Sequence, residues 1–166
     1  MGIRQLQDHP VFKADRNRIY DDALNLAISK KQMFKLNPEI IEFRFGQEVY
    51  QIGSDSRVGA WNGNHAVRMK WNHGHLWNMQ YNKSELPLKF EFKFVIKEGN
   101  TIVRWEEGMN HVHDLDKYLE KFKQTEIMKQ IQAGKYDEIE IEFEKEKIAY
   151  NRVNKVFILH TLWQNK

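Results

Sequence analysis

The chain has 166 residues, and its 26 basic and 23 acidic residues give a formal net charge of +3 at pH 7. This length favours one compact domain with extensions over two full domains. Its 41% hydrophobic and 13% aromatic content excludes a disordered chain. No apolar run is long enough for a transmembrane helix, so we expect no membrane partner. The absence of cysteine excludes disulfides and thiolate metal sites.

The distribution of charge argues against nucleic acid as a partner. A nucleic-acid-binding domain concentrates its basic residues on the folded face, whereas the positive excess here lies in residues 1–37 and 151–166. The first six residues contain no apolar signal core. We therefore expect an intracellular protein that is not secreted, in the cytoplasm or in an organelle interior.

The first predicted element is a helix. Residues 16–34 carry apolar residues at helical spacing, namely Ile19, Ala23, Leu26 and Ala27. Pro38 stops any continuation of that helix. We therefore expect residues 1–37 to form an N-terminal helical extension.

Residues 38–115 have the pattern of a β-sandwich. Seven of the nine glycines and four of the five tryptophans lie between positions 46 and 108. Glycine between short apolar runs is typical of a sandwich or barrel. Alternating apolar and polar residues predict strands at residues 41–45 and 89–97. A tight turn at residues 98–100 then leads into a strand at residues 101–105.

Residues 116–166 are predicted to form a C-terminal extension of helix plus strand. The helix begins near Asp114 or Asp116 and ends at Gly134. Residues 139–143 alternate apolar residues with glutamates, which indicates a strand with one acidic face. The apolar run at residues 156–163 requires burial against the sandwich or against a partner.

Five pieces of the middle segment occur in an order that resembles a known family. They are IGSDSRVGAW at residues 52–61, AVRM at 66–69 followed by Gly74 and Trp77, LP at 86–87, FEFKFV at 90–95 and VRWEEGMN at 103–110. In this order and spacing they resemble the starch-binding domain, the family 20 carbohydrate-binding modules of glucoamylases and of many glycogen- and starch-associated proteins.

The resemblance implies an immunoglobulin-like β-sandwich that binds α-1,4-glucan and has no catalytic activity. The residues of the family's first sugar site, with one further glutamate, fall here on Trp61, Lys93, Trp105, Glu106 and Asn110. The implied second site is less complete. The loop between the first two predicted strands is only Gly46-Gln47 and lacks a tyrosine, and Asp55-Ser56 replaces an apolar-proline pair.

The chemistry of glucose agrees with these positions. A glucose ring presents an apolar C–H face and a rim of hydroxyls, so it requires flat aromatic surfaces with fixed polar groups around them. Alternation along residues 89–97 directs Lys93 away from the core. Trp105 precedes a Glu-Glu-Gly turn, where packing needs no large aromatic residue. We interpret Trp77 as a core residue and leave Trp71 undecided.

Other groupings of reactive residues favour no enzyme, metal or cofactor. The pairs His73/His75 and His111/His113 lack a third ligand, so we interpret them as solvated loop histidines rather than zinc ligands. Glu106 and Glu107 are adjacent, which directs their carboxylates apart rather than across a glycosidic bond.

The sequence therefore favours a non-catalytic α-glucan-binding module that tethers a protein partner through residues 1–37 and 116–166. The alternative is a structural or assembly subunit of a larger complex, which retains the sandwich as a scaffold and docks through its ends. Glucan binding by the folded protein distinguishes the two.

Overall fold

A computed structural model describes residues 31–38, 41–123, 138–143, 146–151 and 153–165. These residues contain one α-helix, α1 (Leu115–Lys123), and eleven strands. The strands are β1 (Lys31–Asn37), β2 (Gln47–Gly53), β3 (Val67–Arg68), β4 (Lys70–Asn72), β5 (Leu76–Asn82), β6 (Lys89–Glu98), β7 (Thr101–Trp105), β8 (His111–Asp114), β9 (Glu138–Phe143), β10 (Glu146–Asn151) and β11 (Val156–Leu162). No described helix is long and apolar enough to cross a membrane.

The strands form two sheets, which confirms the expected mainly-β fold. One sheet has six strands in the order β4-β5-β1-β11-β10-β9, with β1 and β11 parallel and the other pairs antiparallel. The other sheet has the order β3-β2-β6-β7, and β8 also pairs with β6. β7 and β8 therefore lie along opposite ends of the same strand.

Aromatic side chains fill the space between the two sheets. The alternation predicted for β6 is confirmed, because Phe90, Phe92 and Phe94 are all buried in the main core cluster. Phe34 of β1 meets Phe92 with 5.1 Å between ring centroids, which joins the two sheets. Tyr118 of α1 stacks on Phe157 of β11 at 5.6 Å.

The predicted N-terminal helix is wrong where the structure describes it. Residues 31–34 begin β1, which pairs with β5 on one side and β11 on the other. Phe34 and Leu36 face the core, whereas Lys31 is exposed. This alternation has the two-residue period of a strand, and pairing on both sides satisfies the backbone. Residues 16–30 lie outside the described residues.

The strand predicted at residues 41–45 is also wrong. These residues form no strand; Ile41 is buried and Phe43 packs against the core, but Phe45 is fully exposed. The chain turns at Gly46, whose φ is +88°, and β2 begins at Gln47. Residues 38–46 therefore connect β1 to β2, and this connection is longer than the Gly46-Gln47 loop expected from sequence.

The C-terminal segment joins the sandwich. α1 begins where predicted, with Asp114 accepting a hydrogen bond from the Lys117 backbone, and residues 138–143 form the expected strand. The predicted helix end at Gly134 lies outside the described residues. The run at residues 156–163 forms β11 between β1 and β10, so this chain itself buries it.

Candidate functional site

The outer face of the five-stranded sheet carries the predicted sugar-contacting residues. In β6, Phe92 and Phe94 face the core, so Lys93 and Val95 lie on the opposite face, where Lys93 is half-buried and Val95 is fully covered. Val95 pairs directly with Trp105 of β7, which places Trp105 on that outer face beside Lys93. Trp105 is 45% exposed at the edge of the sheet.

The loop at residues 54–66 brings Trp61 to the same face. The Trp61 backbone N–H donates to the Gly53 carbonyl at the end of β2, at 2.9 Å. Farther along the loop, Lys97 Nζ of β6 donates to the Gly63 carbonyl at 3.0 Å. A Cβ built on Gly63 would lie 2.7 Å from Ile102 Cδ1 of β7, so the loop crosses β6 and reaches the strand that carries Trp105. Trp61 is 38% exposed.

The backbone that presents Trp61 is strained. Gly59, Ala60 and Trp61 have successive φ angles of +95°, +48° and +61°. A left-handed conformation costs a non-glycine residue about 1–2 kcal/mol. Hydrogen bonds from the Ala60 N–H to the Asp55 carbonyl and from the Trp61 N–H to the Gly53 carbonyl hold this conformation. Strain retained in this way is concentrated at ligand sites in proteins.

The loop at residues 106–110, which we call the 106–110 loop, lies between β7 and β8. β8 pairs with the first half of β6 and β7 with its second half, so the loop lies beside the middle of β6. Lys93 Nζ donates to the carbonyls of Glu106 and Gly108. Met109 and Asn110 are exposed on the loop. The structure therefore brings three predicted residues together: Lys93 holds the 106–110 loop, Trp105 directly precedes it and Asn110 is its last residue.

Glu106, which the sequence placed among the sugar contacts, is buried instead. It is 2% exposed, and its carboxylate points into the protein. Oε1 accepts from the Phe94 N–H at 3.1 Å, and Oε2 accepts from the Gln164 N–H at 2.9 Å and lies 2.8 Å from His111 Nε2. Glu106 is thus a buried acceptor at the base of the 106–110 loop.

His111 lies between two carboxylates. Its Nε2 faces Glu106 and its Nδ1 lies 3.0 Å from Glu146 Oε1 of β10. Burial lowers the pKa of His111, but hydrogen bonds and charge interactions with Glu106 and Glu146 outweigh it and raise the pKa to about 9. His111 is therefore a cation at neutral pH and donates from both ring nitrogens.

The interpretation of both histidine pairs as solvated is wrong for β8. His111 and His113 pair with Phe92 and Phe90, so they face the core, and both are buried. Burial lowers the pKa of His113 to about 4, which keeps it neutral. His73 is exposed. Among the described residues no group of three or more acidic or histidine side chains could hold a metal ion.

Trp71 and Trp77 lie on two paired strands and differ in burial. Trp77 of β5 is buried in the core, as predicted. Trp71 of β4 pairs with it across the strands, is exposed and lines an open cleft of about 500 Å³. Glu48 and Arg68 form an ion pair at the same cleft. Trp71, which the sequence left undecided, is thus an exposed residue on an edge strand of the described sheet.

A family model described as a starch-binding domain matches residues 32–125, more than half of the chain. The chain belongs to the starch-binding domain family. The match includes the loop that carries Trp61, the strand that ends at Trp105 and the rest of the five-stranded sheet, and it ends before β9. No curated protein sequence matches this chain.

Solved structures similar to this starch-binding domain include three proteins. A γ-CGTase from an alkalophilic Bacillus clarkii has 27% identity and a TM-score of 0.45, over 52% of this chain and 13% of its own. The family 20 carbohydrate-binding module of a maltotetraose-forming amylase from Pseudomonas saccharophila has 23% identity and a TM-score of 0.42, over 48% and 84%. A glucoamylase from Hypocrea jecorina has 17% identity and a TM-score of 0.48, over 83% and 18%. This chain therefore spans less than a fifth of the CGTase and of the glucoamylase.

Proposed function

We propose that this starch-binding domain is a non-catalytic module that binds α-1,4-glucan such as starch or glycogen. The observation that carries the proposal is the placement of Trp61 and Trp105. Both are exposed on the outer face of one sheet, and Lys93 lies beside them. Two aromatic surfaces flanked by polar groups match the apolar faces and hydroxyl rims of neighbouring glucose units.

The expected affinity follows from the area that two tryptophans can cover. If each ring removes roughly 80 Å² from water, the two contribute about 4 kcal/mol at 25 cal/mol per Å². Association costs offset much of this, so we expect a dissociation constant of about 10–1,000 μM for a short oligosaccharide. Polymeric glucan would be held more tightly through several sites.

The polar groups divide into direct contacts and supports. An ammonium has three N–H donors, and Lys93 uses two of them on the carbonyls of Glu106 and Gly108. We assign its third donor and the exposed amide of Asn110 to sugar hydroxyls. Glu106 is buried and already accepts internal hydrogen bonds. We therefore assign Glu106 to holding the 106–110 loop, in place of the direct contact suggested by the sequence.

The same geometry supports sugar binding rather than hydrolysis at this face. Glycoside hydrolysis uses two carboxyl groups that flank the bond to be cleaved. Glu106 faces inward while Glu107 is exposed, so these neighbours do not flank a sugar on the outer face. The function we propose is attachment.

We further propose that a protein partner is tethered through residues 1–37 and 116–166. The exposed Glu140 and Glu142 of β9 support this role, because β9 is an edge strand of the described sheet. Edge strands offer unpaired backbone groups to a partner. The assembly-subunit alternative loses one of its arguments, since β11 is buried within this chain and needs no partner.

Calorimetric titration with maltoheptaose tests the glucan proposal. The wild type should bind, the double variant Trp61→Ala/Trp105→Ala should not, and Trp71→Ala should keep binding at the first site as a matched loss of an exposed tryptophan. Circular dichroism establishes that each variant is folded. A folded wild type that does not bind maltoheptaose or soluble starch would overturn the proposal and favour the assembly subunit.

A further inference from the structure

Residues 163–165 run along the edge of the candidate sugar site. Beyond β11, Trp163 is buried and its backbone N–H donates to the Asn37 carbonyl. The Arg104 guanidinium of β7 lies 5.8 Å from the Trp163 ring, and it also donates to Asn165 Oδ1 at 3.3 Å. These contacts attach residues 163–165 to the strand that carries Trp105.

Gln164 is the residue of this segment that contacts the 106–110 loop directly. Its backbone N–H donates to Glu106 Oε2 at 2.9 Å, and its backbone carbonyl accepts from the Glu107 N–H at 3.0 Å. Its side-chain amide donates to the Met109 carbonyl at 3.2 Å. One residue therefore holds three of the five loop residues, including the residue that precedes Asn110.

A second connection reaches the loop from β10. The His111 cation bridges Glu106, at the start of the loop, and Glu146 of β10. Both carboxylates face the ring, which also stacks on Phe92 at 5.0 Å between centroids. Buried charges interact more strongly than exposed ones because less water screens them. The six-stranded sheet thus contacts both ends of a loop that belongs to the other sheet.

The loop needs these contacts because it has little strand pairing of its own. β7 ends at Trp105 and β8 begins at His111, so the loop lies in the interruption between them. The Glu106 N–H still donates to the Phe94 carbonyl, but residues 107–109 are held by Gln164 and Lys93. Segments with few hydrogen bonds of their own open at low free energy unless other contacts order them.

We infer that Gln164 is a positioning residue for glucan binding, which orders the 106–110 loop so that Trp105 and Asn110 are presented together. Gln164 and Glu146 lie beyond the residues matched by the family model, which end at 125. The chain's own C-terminal strands therefore complete the sugar site of the starch-binding domain. The inference rests on the proposed function for its effect on sugar affinity, but not for its effect on the loop.

Two measurements on Gln164→Ala test the inference. Hydrogen exchange at the Glu107 amide, which donates to the Gln164 backbone carbonyl, should be about tenfold faster than in the wild type, because the loop opens more readily once the side-chain hydrogen bond to the Met109 carbonyl is lost. Affinity for maltoheptaose should fall about three- to tenfold, because a disordered loop must be ordered on binding. Leu162→Ala is the matched control, since Leu162 is 59% exposed at the end of β11, two residues before Gln164. It should change neither measurement.

The isosteric variant Gln164→Glu separates the hydrogen-bond donor of the side chain from its bulk. Its carboxylate could no longer donate to the Met109 carbonyl. It would lie near both the His111 cation and Glu106, because the wild-type amide nitrogen is 3.0 Å from His111 Nε2 and 3.5 Å from Glu106 Oε2. Gln164→Glu should therefore bind maltoheptaose as weakly as Gln164→Ala, and wild-type affinity in this variant would contradict the role assigned to the donor.

The two arms separate this inference from the proposed function. If the wild type binds no glucan, the proposed function fails, and the exchange measurement still decides whether Gln164 orders the loop. Unchanged exchange in Gln164→Ala would overturn the inference. So would unchanged glucan affinity in a variant whose loop exchange has risen. Faster exchange with weaker binding, both absent in Leu162→Ala, supports it.

Discussion

Glu106 and His111 form a buried ion pair at the base of the 106–110 loop, with 2.8 Å between Glu106 Oε2 and His111 Nε2. Glu106 directly follows Trp105 in the chain, and His111 directly follows Asn110. The ion pair therefore joins the two ends of the segment that carries the candidate sugar contacts. Glu146 of β10 accepts from the other ring nitrogen, at 3.0 Å. The buried network of Glu106, His111 and Glu146 therefore lies directly beneath the candidate sugar site.

His111 should make the folded protein less stable at alkaline pH. Its folded pKa of about 9 lies above the ordinary value of 6.5, because two carboxylates outweigh the effect of burial. The stabilisation is therefore fully present below pH 6.5 and is lost as the pH rises through 9, by up to about 3 kcal/mol. Urea unfolding from neutral to alkaline pH measures it. His111→Gln should flatten this dependence, and an unchanged slope would contradict the assignment.

His113 should make the folded protein less stable at acidic pH. Burial lowers its folded pKa to about 4, so the unfolded chain takes up the proton first. The stabilisation is present above pH 6.5 and is lost as the pH falls towards 4, again by up to about 3 kcal/mol. His113→Phe keeps the packing against Phe34, Phe90 and Tyr118. Its unfolding free energy should fall less steeply below pH 6.5 than that of the wild type.

Gly59→Ala should destabilise the loop that presents Trp61. The glycine has φ +95°, and an added Cβ would lie 2.8 Å from the His65 carbonyl oxygen, which is backbone and cannot turn away. We expect a loss of about 2–4 kcal/mol together with weaker glucan binding. Thermal unfolding and calorimetric titration measure the two effects.

Gly74→Ala is the control for that substitution. Gly74 has φ +84°, but an added Cβ would meet nothing within 4 Å. This variant should lose only the backbone preference, about 1 kcal/mol, and keep its glucan affinity. Equal losses in the two variants would show that contact with His65 is unimportant.

Lys93→Met should weaken glucan binding about tenfold, because it removes both a donor to sugar and the two hydrogen bonds that hold the 106–110 loop. The methionine keeps most of the aliphatic side chain, so the packing is conserved. Lys89→Met removes an exposed lysine from the start of the same strand and should leave the affinity unchanged. Equal affinities for the two variants in calorimetric titration would exclude Lys93 from the site.

The parts of this protein that the sequence predicted are those with a strong local period or turn signal. The alternating phenylalanines predict β6, and alternating glutamates predict the strand at residues 139–143. The glycine at position 99 predicts the turn between β6 and β7. Trp61 and Trp105 were identified as candidates from family motifs, and the structure exposes both on one face. Each of these features depends on neighbouring residues in the chain.

Two errors show the limit of local patterns. Residues 31–34 follow apolar residues at helical spacing, yet they form a strand because β5 and β11 pair with them on either side. The pairing with β11 joins Lys31 to Val156, far apart in sequence. The interpretation of His111 and His113 as solvated loop histidines is wrong because a two-residue spacing does not say which face of a strand is buried.

Local periodicity and turn residues thus determined the mainly-β character, the strand β6 and the tryptophans of the candidate site. Only the tertiary structure decided how that site is held together. His111 donates to Glu146 across 35 residues of chain, and the Gln164 N–H donates to Glu106 across 58, and both bonds form only where the two sheets come together. A hydrogen bond between residues so far apart leaves no periodic trace in sequence, because it depends on strand order and sheet packing rather than on neighbouring side chains.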